Sequence, residues 1–230
     1  MTRIEPQAGA RWAGMKPALA AATLHGMKLL GRLTSINVRK VMWTATLLGL
    51  DLEREDWGAG CRSPQEPGYL ALNPNGLIPV LLDGDFVLWE SNSICRYLAA
   101  KAGDTTLLPA EPQARARVEQ WMDWQAGELN NSWRVAFMTL VRGQPATPEA
   151  IAAGVKGWNH HMTLLDAQLA RTGAHVCGDA FTLADVVLGL STQRWLNAPI
   201  ERVVLPAVQA WMRRLAVRPG FAAFVDNGMP

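Results

Sequence analysis

Two serines in this chain stand where a strand is expected to give way to a helix, a position suited to binding anions. Ser35 comes two residues before Asn37 at the start of one apolar-periodic run, and Ser91 follows Glu90 at the start of another. Backbone N–H groups converge at a helix N-terminus, and the helix dipole adds roughly half a positive charge there. A hydroxyl at that point can lower the pKa of a bound thiol, and Glu90 with Ser91 can hold an amino-acid head through its ammonium and carboxylate groups. Helix capping alone is the alternative for both serines.

A third feature is a proline where a strand should begin to pair. The turn signal Asn-Pro-Asn-Gly at 73–76 is followed by Ile78, Pro79 and an apolar run of strand type at 80–82. Because proline has no N–H, Pro79 fits only a sheet edge, a strand start or a bulge, and cis X-Pro bonds favour such tight turns. The N–H and C=O of Ile78 would then stay free to pair with an extended peptide. An ordinary turn followed by a strand is the alternative.

Composition narrows the classes of ligand. Lys+Arg 22 against Asp+Glu 20 gives a net charge of +2 without a dense basic block, so nucleic acid is not expected as a partner. No apolar run reaches the ~18 residues that a membrane-spanning helix needs, so no membrane partner is expected. Cys61, Cys95 and Cys177 lie far apart without a Cys-x-x-Cys pair, which favours a reducing, cytoplasmic setting over a disulfide framework. The histidines lack metal-ligand spacing, so no metal site is predicted.

The elements that must position these residues follow from periodicity and turn signals. Strands are predicted at 27–33 and 52–57 with a helix between them that begins after Ser35 and stops at Gly49. A short helix at 69–72, a hairpin with strands 80–82 and 86–89, and a helix at 91–102 complete a βαβ-ββα unit. This unit predicts an α/β domain over residues 27–102, preceded by a loosely ordered tail over 1–26.

The remainder of the chain changes period after a Pro-containing linker at 103–112. Apolar residues at helical spacing predict one helix of about seven turns over 118–140, and further helices follow at 148–170, 182–196 and 206–217. Thr182 and Asp185 form a capping-box pattern with Phe181 and Val186 as a hydrophobic staple, so we assign Asp185 to folding and not to a site. The second domain, 113–230, is therefore predicted to be all helical.

Taken together, these features resemble the soluble glutathione transferase family, in its bacterial serine-type, theta-like or nu-like branches. The resemblance covers nearly all of the chain from Met27 to about Phe224 and implies a thioredoxin-like N-terminal domain followed by an all-helical domain. The motifs that carry it occur in the family's order: Ser-x-Asn at 35–37, Asn-Pro-Asn-Gly-Leu-Ile-Pro at 73–79, Trp-Glu-Ser at 89–91 and Thr-Leu-Ala-Asp at 182–185.

The resemblance also implies roles for individual residues. Pro79 would be cis and Ile78 would pair its backbone with the cysteinyl unit of glutathione. Glu90 and Ser91 would hold the γ-glutamyl head, and Ser35, helped by Asn37, would face the sulfur. Two further residues complete the implied site: Thr34 is the rival of Ser35 for the sulfur, and Arg134 is a candidate contact for the co-substrate or for the glycyl end, where Leu77 replaces the polar residue of many relatives.

The activity implied by the resemblance is a cytoplasmic glutathione transferase that activates the glutathione thiol for attack on a small electrophile, a detoxification reaction. A homodimer is implied as well, and glutathione is the expected co-substrate. Two alternatives stay open. Glutathione-dependent disulfide reduction suits the same site, and a glutathione-binding or partner-binding module without turnover is the other possibility.

Overall fold

A computed structural model describes residues 26–229 of the chain. The N-terminal half carries strands β1 (Met27–Leu30), β2 (Glu53–Glu55), β3 (Val80–Asp83) and β4 (Phe86–Trp89), with helices α1 (Ile36–Leu47), α2 (Pro67–Leu70) and α3 (Ser91–Lys101). The strands form one mixed sheet in the order β2-β1-β3-β4, in which β1 pairs parallel to β2 and antiparallel to β3. This thioredoxin-like arrangement confirms the predicted fold of the first half.

The sheet brings two loops of the predicted site to one edge. Leu30, the last residue of β1, is paired with Val80, the first residue of β3. The turn into α1 and the turn that precedes β3 therefore leave the sheet side by side. This register places Ser35 and Ile78 near each other although they are far apart in the chain.

The C-terminal half is helical, which confirms the predicted fold class. Its elements are α4 (Pro112–Trp124), a π-helical segment (Gln125–Leu129), α5 (Asn130–Leu140), α6 (Pro148–Thr172), α7 (Leu183–Asn197), α8 (Pro206–Leu215) and α9 (Phe221–Phe224). None of the helices within residues 26–229 is long and apolar enough to cross a membrane.

Several sequence-based bounds are wrong. The first strand ends at Leu30, not at residue 33. Gly31 follows it with a positive φ of 155°, and a Cβ there would lie 2.5 Å from Val38 Cγ2, so this position requires glycine. The long helix predicted over 118–140 is interrupted by the π-helical segment Gln125–Leu129. The helix α9 was not predicted, and the tail predicted over 1–26 lies, except for its last residue, outside the described residues.

Helix α1 joins the two halves because it packs against α3 on one side and α7 on the other. Trp43 on α1 is fully buried, and its indole contacts the rings of Phe181 and Phe221 edge-on, each at 5.9 Å between centroids. Its Nε1 donates to the Pro219 C=O at 2.9 Å. The turn before α1 is thereby fixed relative to α7, which forms the opposite wall of the site.

Candidate functional site

Ser35 is the N-cap residue of α1, but its side chain is not used for capping. Its backbone is extended (φ −84°, ψ 124°), and the side chain makes no capping hydrogen bond. Ser35 and Asn37 both line a cavity of about 460 Å³ between the halves of the molecule. The Ser35 hydroxyl is therefore available to a ligand at the N-terminus of a helix.

The rival hydroxyl of Thr34 is placed differently. Thr34 lines the same cavity, but its Oγ1 is buried and has no hydrogen-bond partner among the described residues. An oxygen that is closed off in this way cannot reach a sulfur without a change in the turn. The geometry supports Ser35 over Thr34, and the assignment stays a prediction.

The Ile78–Pro79 peptide bond is cis, as expected, and the backbone of Ile78 is unpaired. Within residues 26–229, neither its N–H nor its C=O takes part in a backbone hydrogen bond. The preceding C=O of Leu77 is held instead, because it accepts from the Tyr69 hydroxyl at 2.9 Å and from Asn73 Nδ2 at 2.8 Å. Tyr69 and Asn73 are both buried, so they fix the loop and leave Ile78 open to an extended peptide.

Glu90 and Ser91 lie beside this loop at the start of α3. They line a small cavity of about 50 Å³ together with Pro79 and Asn73. Glu90 is exposed and has a positive φ of 72°, the one such value among the described residues other than glycines. A non-glycine residue in this conformation costs free energy, and such strained residues cluster at functional sites. Ser91 is 5% exposed, and its hydroxyl lies at the first turn of α3.

The two cavities adjoin, since Asn37, Leu77 and Ile78 line both of them. Every residue predicted for the site lies on this shared surface: Ser35, Asn37, Ile78 and Arg134 on the larger cavity, and Pro79, Glu90 and Ser91 on the smaller. Chemically, the surface offers a hydroxyl at a helix N-terminus, a free backbone edge and a carboxylate next to a second helix N-terminus. Such a surface can hold an extended peptide that carries a thiol side chain and has an amino-acid head at one end.

Most residues of the wall that faces Ser35 were not named individually as site residues from the sequence. This wall comes from α5 and α7 and carries the aromatic rings of Trp133 and Phe137. Arg134 was the one arginine predicted for it, but Arg32, Arg142 and Arg194 also line the cavity. Arg194 had a signal in the sequence, because it follows an almost continuous run of apolar and small residues in α7.

Asp185 is confirmed as a folding residue. It is fully buried at the start of α7, where Oδ2 accepts from the Thr182 N–H at 2.9 Å. Its Oδ1 accepts from Trp211 Nε1 at 2.8 Å and from the Val176 N–H at 3.0 Å. The carboxylate is satisfied by these donors and lines neither of the two cavities. Within residues 26–229, no group of three His, Cys, Asp or Glu side chains is placed to hold a metal ion.

Comparisons with known proteins agree with this geometry. The family model for the N-terminal domain of glutathione S-transferases matches residues 34–101, and the model for the C-terminal domain matches residues 148–214. The chain is 38% identical over 195 residues to glutathione S-transferase GstB of Escherichia coli (strain K12), an alignment that covers 83% of this chain and 93% of the relative. It is 34% identical over 204 residues to glutathione S-transferase 3 of Zea mays, covering 85% and 91% of the two chains.

Among solved structures, one similar protein is the theta class glutathione S-transferase from the citrus canker pathogen Xanthomonas axonopodis pv. citri with glutathione bound. It shares 38% sequence identity with this chain and superimposes with a TM-score of 0.81. The match covers 86% of this chain and 96% of that structure.

Proposed function

Since this chain belongs to the glutathione S-transferase family, we propose that Ser35 activates the thiol of bound glutathione for attack on a small electrophile. The enzyme is a glutathione transferase. Asn37 and the N-terminus of α1 assist Ser35 in this proposal. Ile78, Pro79, Glu90 and Ser91 hold the rest of the tripeptide.

One observation carries the proposal: Ile78 lies on both cavities and its backbone is free, between Ser35 on one side and the pair Glu90 and Ser91 on the other. Glutathione is an extended tripeptide with its thiol on the middle residue and an amino-acid head at one end. The Ile78 backbone matches its cysteinyl unit, and the small cavity matches its γ-glutamyl head. The solved relative from Xanthomonas axonopodis, which has glutathione bound, supports the choice of ligand.

The chemistry follows from stabilising the thiolate. Lowering the thiol pKa from its free value of about 8.5 to near 6.5 requires roughly 2.7 kcal/mol. A hydrogen bond to a charged group contributes about 1.5–3 kcal/mol, and the N-terminus of a helix adds about 0.3–1 kcal/mol, so Ser35 and α1 together suffice. The thiolate then forms a C–S bond to the electrophile while the bond to the leaving group breaks, and no covalent enzyme intermediate is required.

We also propose that the enzyme is a cytoplasmic homodimer that acts in detoxification. The family supports the dimer, and so do two exposed aromatic residues on β4, since Phe86 is 46% exposed and Trp89 is 37% exposed. Size-exclusion chromatography with light scattering tests the oligomeric state. A monomer at micromolar concentration would remove this part of the proposal.

The central test is a pH titration of glutathione bound to the protein, followed by thiolate absorbance. We expect Ser35→Ala to raise the pKa of the bound thiol by about 1–2 units, because it removes one charge-assisted hydrogen bond. Folding should hardly change, because the Ser35 side chain does not cap α1.

Thr34→Val is the matched control for Ser35→Ala. It removes a neighbouring hydroxyl that is buried and unpartnered, and it keeps the shape of the side chain. We expect it to leave the titration unchanged. If the pKa of the bound thiol shifts in Thr34→Val but not in Ser35→Ala, the wrong hydroxyl has been assigned. If the wild type and both variants titrate identically, neither hydroxyl stabilises the thiolate.

A further inference from the structure

The larger cavity carries an excess of positive charge that glutathione activation does not use. Its lining includes four arginines, Arg32, Arg134, Arg142 and Arg194, and neither an aspartate nor a glutamate. Within the described residues, none of the four forms an ion pair with a carboxylate. Arg32 has a partner of another kind, because its Nη1 donates to the Ala59 C=O at 2.5 Å.

Arg194 is the most unusual of the four because it is buried. Its exposure is 7%, and its Nε is closed off from solvent without a hydrogen-bond partner in residues 26–229. The guanidinium packs over the ring of Phe137 at 4.2 Å and near the ring of Trp133 at 5.0 Å from the centroid. Burial, and then the positive charges of Arg39 and Arg142, lower its pKa to about 9, so the group is still charged at neutral pH.

A buried charge without a carboxylate or an acceptor is costly for a folded protein. The two aromatic rings offset part of this cost through cation–π attraction, but ring faces accept hydrogen bonds from the guanidinium N–H groups only weakly. An anion placed in the cavity would both neutralise the positive charge of Arg194 and accept hydrogen bonds from its N–H groups. Arg142 would stand beside such an anion, since it lines the same cavity and packs at 5.4 Å from the Phe137 ring centroid.

We propose that the co-substrate of this enzyme is an aromatic electrophile that carries a carboxylate, with Arg194 and Arg142 receiving the carboxylate and Trp133 and Phe137 packing against the ring. The inference rests on the proposed function, because it concerns the second substrate of the same reaction. Planar guanidinium groups suit carboxylates, and charge-assisted hydrogen bonds are about twice as strong as neutral ones.

Glutathione itself brings a glycyl carboxylate, which is the other anion that these arginines can meet. Kinetics of an arginine variant distinguish a carboxylate of the co-substrate from the glycyl carboxylate of glutathione. An arginine that binds the co-substrate alters the discrimination between an anionic electrophile and its neutral ester. An arginine that binds the glycyl end alters the KM for glutathione equally with both electrophiles.

The test compares 4-chloro-3,5-dinitrobenzoate with its methyl ester. In both reactions the glutathione thiolate forms a C–S bond at the carbon that bears chlorine, and chloride leaves with the C–Cl bonding pair. Each kcat/KM is divided by the rate constant of the same reaction without enzyme, which removes the difference in intrinsic reactivity. We expect the wild type to favour the benzoate over the ester by about tenfold or more, since 1.4 kcal/mol of differential binding already gives a factor of ten.

Arg194→Gln should reduce this preference about tenfold, and Arg142→Gln should reduce it by a smaller factor because Arg142 is exposed. Arg213→Gln is the matched control, since Arg213 is exposed on α8 and does not line the cavity, and it should leave the preference unchanged. An inhibition experiment on the wild type needs no variant. We expect 3,5-dinitrobenzoate to compete with the electrophile and to inhibit about tenfold more strongly than 3,5-dinitrobenzamide.

Three results would overturn the inference. The first is equal normalised rates for the benzoate and the ester in the wild type. The second is equal inhibition by the acid and the amide. The third is a rise in the KM for glutathione in Arg194→Gln that is the same with both electrophiles. Failure to convert the benzoate would sink this inference alone, whereas equal titrations of the bound thiol in the wild type and Ser35→Ala would sink the assignment of Ser35 in the proposed function.

Discussion

Lys40 provides a pH-dependent test of the buried charges that lie behind the site. Its side chain projects from α1, is 2% exposed, and donates from Nζ to Gln125 Oε1 at 2.7 Å and to Asn92 Oδ1 at 3.3 Å. Burial lowers the pKa of Lys40 from 10.5 to about 8, and the positive charge of Arg194 acts in the same direction. The partners of Lys40 are neutral amides, and none of the described residues supplies a carboxylate that pairs with it.

The lowered pKa of Lys40 is a cost to folding. One pKa unit corresponds to about 1.4 kcal/mol, so the change from 10.5 to about 8 removes about 3 kcal/mol of stability at pH 7. Below pH 8 both the folded and the unfolded chain carry the proton, and the full cost is present. Between pH 8 and 10.5 the folded chain loses this proton first and the unfolded chain keeps it, so the stability contributed by Lys40 rises with pH.

The wild type alone cannot isolate this effect, because Cys95 acts in the opposite direction. Burial raises the pKa of the Cys95 thiol from 9.0 to about 11, so above pH 9 the folded chain keeps a proton that the unfolded chain has lost. Lys40→Met retains the Cys95 thiol and its burial but removes the positive charge that lowers its pKa, so the comparison isolates Lys40 together with this coupling. We expect the free energy of unfolding of the wild type, relative to Lys40→Met, to rise by about 2 kcal/mol between pH 7 and pH 10.

Urea unfolding at several pH values measures this difference. The loss of a donor to Gln125 and Asn92 in Lys40→Met adds a cost that does not depend on pH, so the slope is the informative quantity. Lys156→Met, at an exposed position of α6, is the control and should give the same difference from the wild type at every pH. A flat or falling difference for Lys40→Met would refute the conclusion that a charged Lys40 is buried behind the site.

Two further predictions concern Glu90, which is proposed to bind glutathione, and Asp185, which stabilises the fold. Glu90→Gly should raise the free energy of unfolding by about 1 kcal/mol, because glycine adopts the positive φ of 72° without strain. The same variant should weaken glutathione binding, because it removes the carboxylate. Glu90→Ala should weaken binding equally without the gain in stability, and unchanged glutathione titrations of both variants would remove Glu90 from the site. Asp185→Asn should lose about 3 kcal/mol in urea unfolding, because an amide cannot accept from all of the Thr182, Trp211 and Val176 donors. A nearly neutral effect would contradict its role as a buried acceptor.

The parts of the site that depend on local chemistry were predictable from the sequence. Pro79 lacks an N–H, so its position before an apolar strand already implied that the backbone of Ile78 would be left out of the sheet. Ser35, Glu90 and Ser91 are predicted for the site because strand-to-helix turns bring N–H groups together wherever they occur. These inferences need a few neighbouring residues and no knowledge of tertiary packing.

The features that were missed depend on contacts between distant segments. The positive φ of Glu90 has no signature in its residue type, because glutamate does not favour that conformation. The π-helical segment at Gln125–Leu129 leaves the apolar period of the sequence nearly intact, so 118–140 was predicted as one continuous helix. Tyr69 and Asn73 hold the Leu77 C=O only because the loop folds back onto α2, which the sequence pattern does not show.

The hydrogen-bond partners of a buried charge, more than its residue type, distinguish a folding residue of this chain from the residue proposed to bind a ligand. Asp185 and Arg194 are both charged, both buried and both on α7. Asp185 is surrounded by donors from three other residues, so its burial is accounted for within the chain and it belongs to the fold. Arg194 contacts aromatic rings and has no carboxylate partner among the described residues, and it lines the cavity, where an anion of a ligand can reach it. The same criterion places Lys40, held by neutral amides, between the two cases. The capping pattern identified Asp185 as a folding residue, whereas the signal for the burial of Arg194 is the run of apolar and small residues that precedes it.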